Sequence, residues 1–176
     1  MWYGQPMKWL RGTDDSTAWG ILPKNGSTAL RHALTRDYGG WEVVDPTRFS
    51  NRIFVVRHPI ERFESLWLNK CRDARHRGKG PVAECSGKSA EELFQFIQVK
   101  ENLHWNPQVP MLGNMRSGTE IVRLEDLSSR YEAVSGAPYP LVNVSPDRDD
   151  VRLTDALTER LLEYYREDLE LWTNRQ

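Results

Sequence analysis

The chain has 176 residues and a mass of 20.5 kDa, the size of one ordinary domain, so one core is expected over 1–176. Lys and Arg number 24 against 25 Asp and Glu, a net charge of -1; this removes the global basic field of a generic nucleic-acid binder and makes any anion site local. The 7 Trp, 6 Tyr and 5 Phe supply core mass that a disordered chain lacks, while 2 Cys cannot build a disulfide framework. No apolar run has the length of a membrane span or a leader core, and the expected setting is soluble, reducing and cytoplasmic.

Thr17 to Leu22 (TAWGIL) is a short apolar stretch running into Pro23-Lys24-Asn25-Gly26-Ser27-Thr28, after which Ala29, Leu30, Ala33 and Leu34 recur at helical spacing. The pattern predicts strand, tight loop, helix. Trp41 to Val44 is a second strand candidate. Arg52 to Val56 (RIFVV) is a third, rich in the branched and aromatic residues of a buried parallel strand. Arg57-His58-Pro59 closes it, and Ile60, Phe63, Leu66 and Trp67 then share one helical face. Cys71 to Lys88 breaks the periodicity as a basic loop, and both of its cysteines are expected as free thiols. Ser89 and Glu92 have capping-box spacing ahead of Leu93, Phe96 and Ile97. His104 to Met111 reads as irregular, Glu120 to Leu124 (EIVRL) as a strand. From Thr154, a stripe of Leu157, Leu161, Tyr165, Leu169 and Trp172 predicts one long packed helix. Alternating strands and helices imply an α/β layer fold with a mainly parallel sheet.

In such folds ligands sit beyond the carboxyl ends of the strands, where helix N-termini present unpaired N–H groups. The first loop has matching chemistry. Gly26 permits close backbone approach, Ser27 and Thr28 bring hydroxyls to a helix start, and Lys24 adds a cation. Lys24 precedes Gly26, unlike the usual nucleotide-triphosphate loop in which Lys follows the last Gly. Read alone, the segment also suits a plain turn and a capped helix. The second loop adds Arg57 at a strand end and Ser65 eight positions later, a guanidinium fork and a hydroxyl suited to a phosphate monoester.

PKNGSTAL followed by FVVRHPIERFESLW resembles the signature pair of the sulfotransferases that use 3'-phosphoadenosine 5'-phosphosulfate (PAPS). LHWNPQ (103–108), IVRLEDL (121–127), VNVSP (142–146) and YYREDLELW (164–172) resemble the carbohydrate-type branch. The resemblance implies a three-layer, P-loop-like sulfotransferase fold, a PAPS donor with no metal, and a hydroxyl acceptor, a saccharide or a glycan-bearing molecule. By the same resemblance Lys24 meets the sulfonate and the bridging oxygen. Backbone and hydroxyls of Asn25, Gly26, Ser27 and Thr28 hold the 5'-phosphate, and Arg57 with Ser65 holds the 3'-phosphate.

The acceptor proton needs a general base. Relatives place a His or a carboxylate near the end of the strand before the Arg loop; here that region is WEVVDP, with Asp45 first, Glu42 second, and His104 of the HWNPQ segment third. Each has a plainer reading: a turn residue before Pro46, a solvent-facing acid, a loop anchor. The basic run Arg72 to Lys79 is a solvated loop or a reach toward an anionic acceptor, and Trp105 a core residue or a stacking platform. Two other functions fit the same loops: a P-loop-type nucleotide-dependent kinase, and a silent nucleotide- or glycan-binding module of the same fold.

Overall fold

The computed structural model describes residues 7–12, 16–72, 80–140 and 152–174. Among them, five strands form one sheet in the order β3-β1-β2-β4-β5. They are β1 Lys8–Gly12, β2 Thr17–Ile21, β3 Trp41–Val43, β4 Asn51–Val56 and β5 Glu120–Arg123. β4 pairs parallel with β2 and β5, whereas β1 pairs antiparallel with β2 and β3. Two reversals restore direction, so β2, β3, β4 and β5 point the same way and β1 alone opposes them. The mainly parallel sheet is present, with β1 as a reversed strand that the sequence pattern did not announce.

Side chains alternate across this sheet with the period of two that strands impose. Trp19, Ile21, Ile53, Val55 and Val122 face one side and meet Leu30 and Leu34 of α1 (Ser27–Tyr38) and Tyr131 of α5 (Leu127–Ser135). Ala18, Leu22, Phe54 and Val56 face the other, against Leu112 of α4 (Gln108–Leu112) and Leu171 of α7 (Arg166–Thr173). Helix, sheet, helix is the three-layer arrangement. Burying each of these Leu, Ile, Val or Phe side chains contributes about 1.5–3 kcal/mol. Beside the sheet, α2 (Pro59–Trp67), α3 (Ala90–Val99) and α6 (Asp155–Tyr164) build a further cluster around Phe63, Leu66, Leu93, Ile97 and Leu161.

The helix ends follow local chemistry. Ser89 and Glu92 form the expected capping box, each satisfying the other's backbone N–H. Thr154 caps α6 by accepting from Leu157 N at 3.2 Å. The long helix expected from Thr154 is interrupted at Tyr165, whose φ of -105° and ψ of 27° leave the helical region. Its buried phenol donates to Trp105 O at 2.6 Å, a tertiary bond that helical periodicity does not encode. The segment expected to be irregular contains the short helix α4. Cys71 and Cys85 are free thiols, both buried. VNVSP and residues 73–79 of the basic run lie outside the described residues.

Candidate active site

β2 delivers the chain into a tight loop in which Asn25 N donates to Leu22 O at 3.2 Å. Lys24 and Gly26 both have φ of 76°, in the left-handed region. Glycine occupies it freely; for Lys24 it costs about 1–3 kcal/mol. Leu124 also closes on Gly26, so an added Cβ would meet Leu124 Cδ1 at 2.8 Å. α1 then starts at Ser27 without a side-chain cap. Among the described residues, the N–H groups of Gly26, Ser27 and Thr28 have no protein partner. An uncapped N-terminus with free amides and the positive end of the helix dipole is suited to an anion. Asn25, by contrast, turns inward: its amide N–H closes the turn and its side chain is fully buried.

Arg57 sits where β4 ends, with only 4% of its surface exposed. Its Nη1 donates to Lys24 O at 2.9 Å and its Nε lies 3.5 Å from Glu61 Oε2. The second loop therefore touches the first directly. Pro59 opens α2, which carries Ser65 half-buried on the same unit as Arg57. Arg62 has a different task. It is buried and donates to Asn106 O at 2.8 Å and Leu103 O at 2.9 Å, fastening the segment that bears His104.

Two residues whose part in the site the sequence did not reveal lock these pieces. Gln108 accepts from Asn25 Nδ2 at 2.6 Å and Arg57 N at 3.1 Å, and donates to Arg57 O at 2.9 Å. Asp168, 1% exposed, accepts from Gln108 N at 2.7 and 2.8 Å and from Val109 N at 2.9 Å. Burial pushes the Asp168 carboxyl up, with Arg62 and these N–H donors opposing.

Lys24 is half-buried, and burial followed by the neighbouring charge of Lys70 lowers its ammonium to about 8. Lys70 belongs to a single π-helical turn, Leu68–Arg72, that continues α2 beyond Ser65. Neither lysine has a carboxylate partner among the described residues. His104 lies in the same field. Burial first, then Lys70, Lys24 and Arg62, lower its imidazole to about 4. Asn102 Oδ1 accepts from His104 N at 3.1 Å, which identifies that atom as the oxygen. The contact of Nδ1 with the same oxygen at 2.7 Å then requires Nδ1 to carry the proton. Nε2 is left as the basic nitrogen.

Asp45 and Glu42 sit elsewhere. β3 is two positions along the sheet from β2, about 10 Å of lateral spacing. Asp45 is exposed and caps a short turn, accepting from Thr47 N at 3.0 Å and Thr47 Oγ1 at 2.7 Å, and these bonds hold its carboxyl low. Glu42 pairs with Arg11. Both acids line a cleft of about 420 Å³ together with Arg11, Arg48 and Phe49, with no contribution from either loop. Trp105 is 1% exposed, edge-on to Phe96 and donating to Lys100 O, so it packs the core and offers no stacking face.

Compared with known families, residues 32–173 match the model described as the sulfotransferase family. The chain belongs to the sulfotransferase family. No curated protein and no solved structure matches it. The sulfotransferase match includes Arg57, Ser65, His104, Gln108 and Asp168 and starts on α1, just after the Lys24 loop. Sulfotransferases of this family take PAPS as donor and a hydroxyl as acceptor. The site suits such an anionic donor: among the described residues, free amides and a Lys without a carboxylate partner follow β2, the buried Arg57 follows the adjacent parallel strand β4, and Lys70 lies on the turn after α2. Among the described residues no helix is long and apolar enough to cross a membrane, and no three His, Cys, Asp or Glu side chains gather as a metal group.

Proposed function

We propose that this protein transfers a sulfuryl group from PAPS to a hydroxyl of a saccharide or glycan-bearing acceptor. The observation that carries the reading is the direct coupling of the two loops, Arg57 Nη1 on Lys24 O at 2.9 Å, with no carboxylate paired to Lys24 among the described residues. The saccharide is supported by the carbohydrate-type motifs around His104, Ile121 and Tyr164.

The free N–H groups of Gly26, Ser27 and Thr28, with the Ser27 and Thr28 hydroxyls, bind the 5'-phosphate at the N-terminus of α1. Asn25 contributes by anchoring that loop from inside. Arg57 and Ser65 bind the 3'-phosphate. Lys24 neutralises charge on the sulfonate and on the bridging oxygen as the sulfur–oxygen bond to the 5'-phosphate breaks. The acceptor oxygen forms the new bond to sulfur, and its proton passes to Nε2 of His104. The leaving group departs as adenosine 3',5'-bisphosphate. His104 is preferred to Asp45 and Glu42 because it shares the electrostatic field of Lys24, whereas those acids serve the edge strand.

The test is release of adenosine 3',5'-bisphosphate from PAPS against a panel of neutral and charged glycans and glycolipids. Acceptor-dependent release that Lys24→Ala abolishes supports the reading. Wild-type protein that binds the bisphosphate yet transfers to no acceptor would favour a silent binding module.

A further inference from the structure

We infer that Gln108 is a positioning residue that fixes the spacing between the 5'- and 3'-phosphate loops, so that one bisphosphate can engage both at once. The inference rests on the donor reading above and concerns a residue that need not touch the donor.

Gln108 is completely buried and uses its amide in both directions. Its orientation is not arbitrary. Arg57 N can only donate and Arg57 O can only accept, so the Gln108 atom 3.1 Å from the first is Oε1 and the atom 2.9 Å from the second is Nε2. Oε1 then takes a second bond, from Asn25 Nδ2 at 2.6 Å, and the same Nδ2 reaches Val55 O at 2.8 Å. One side chain thus bonds the peptide groups on either side of the Arg57 α-carbon and the side chain at the centre of the Lys24 loop.

The clamp is itself held. α4 has five residues and begins at Gln108, too short to fix a side chain by its own ladder. Asp168 supplies the hold, with both carboxylate oxygens on Gln108 N and one on Val109 N. Among the described residues, Asn25 Oδ1 is buried without a partner. The Asn25 side chain therefore keeps its place through Nδ2, so the Gln108 bond joins the Val55 O bond and the Arg57 bond to Lys24 O in tying that loop to the end of β4.

A bisphosphate held at both ends gains from intramolecular engagement, and that gain vanishes when the two sites no longer match its length. A 5'- or 3'-monophosphate uses one loop and is insensitive to their separation. Calorimetry with adenosine 3',5'-bisphosphate, adenosine 5'-phosphate and adenosine 3'-phosphate therefore separates spacing from general damage. Gln108→Leu is expected to weaken the bisphosphate about tenfold or more while each monophosphate changes by less than about threefold. Gln108→Glu keeps the acceptor toward Asn25 and Arg57 N, and is expected to restore part of the bisphosphate preference. It is also isosteric, and carries the test if the Leu variant does not fold. Equal weakening of all three ligands, or no weakening of the bisphosphate, overturns the inference. Wild-type protein that binds the bisphosphate no better than the monophosphates would instead refute the donor reading.

Discussion

The guanidinium of Arg57 donates to the carbonyl of Lys24 at 2.9 Å, so the residue just after β4 braces the loop that follows β2. On the proposed reading Arg57 thereby has two tasks, a charge for the 3'-phosphate and a strut for the 5'-phosphate loop. Arg57→Ala should weaken adenosine 3',5'-bisphosphate by roughly 10–150-fold, the range of a lost charge-assisted hydrogen bond. Adenosine 5'-phosphate should weaken measurably but less, through the lost strut alone. Titration calorimetry on both ligands checks this, and equal losses would remove the 3'-phosphate role.

Lys24 gives the site a pH signature. Its ammonium, lowered to about 8 by burial and Lys70, is charged at neutral pH and loses its proton as pH rises through 8. Bound anions favour the charged form, so above the second phosphate ionisation at about pH 6 bisphosphate affinity should be level to about pH 7 and fall above 8, by at most about tenfold per pH unit. Lys24→Met should flatten that limb. In the free protein the depressed value works in the opposite sense: its contribution to stability is present above 10.5 and is lost as pH falls through about 8.

His104 should respond to the donor product. Free, its imidazole lies at about 4 because of burial and the charges of Lys70, Lys24 and Arg62. Its contribution to stability is therefore full above 6.5 and lost as pH falls through about 4. Adenosine 3',5'-bisphosphate offsets the lysine charges, so the titration midpoint followed by NMR should move up on saturation. His104→Ala should lower kcat by about 100-fold or more, and by more than Asp45→Asn or Glu42→Gln, with bisphosphate binding retained. A static midpoint, or a larger loss for Asp45→Asn, would move the base to the edge strand.

Asp168 predicts a stability effect away from the ligand. Removing its carboxylate leaves the N–H groups of Gln108 and Val109 and the buried charge of Arg62 without their compensation. Asp168→Ala should cost about 3–5 kcal/mol in urea unfolding. A loss under about 1 kcal/mol would show that the α4 N-terminus is held by something else.

The two loops were legible in the sequence because their signals are local. An apolar strand, a Pro-Lys-Asn-Gly turn and a helical stripe lie within a few residues of each other, and Ser89 and Glu92 announce their cap by spacing alone. β1 was not legible: five residues reading KWLRG carry too little alternation to distinguish a strand. The sequence shows Asp45 at a strand end, and only the order β3-β1-β2 reveals that this strand is not the neighbour of β2. Gln108 and Asp168 were hidden for a related reason. Their bonds join residues 51 to 83 positions apart in sequence, and nothing in the local pattern marks a buried amide or carboxylate as a clamp.

The most direct measurement is metal-free titration calorimetry of the wild-type protein with adenosine 3',5'-bisphosphate, set against ATP with magnesium. The two coupled loops predict saturable one-to-one binding of the bisphosphate, tighter than either adenosine monophosphate and indifferent to magnesium. Magnesium-dependent ATP binding with no response to the bisphosphate would contradict the account.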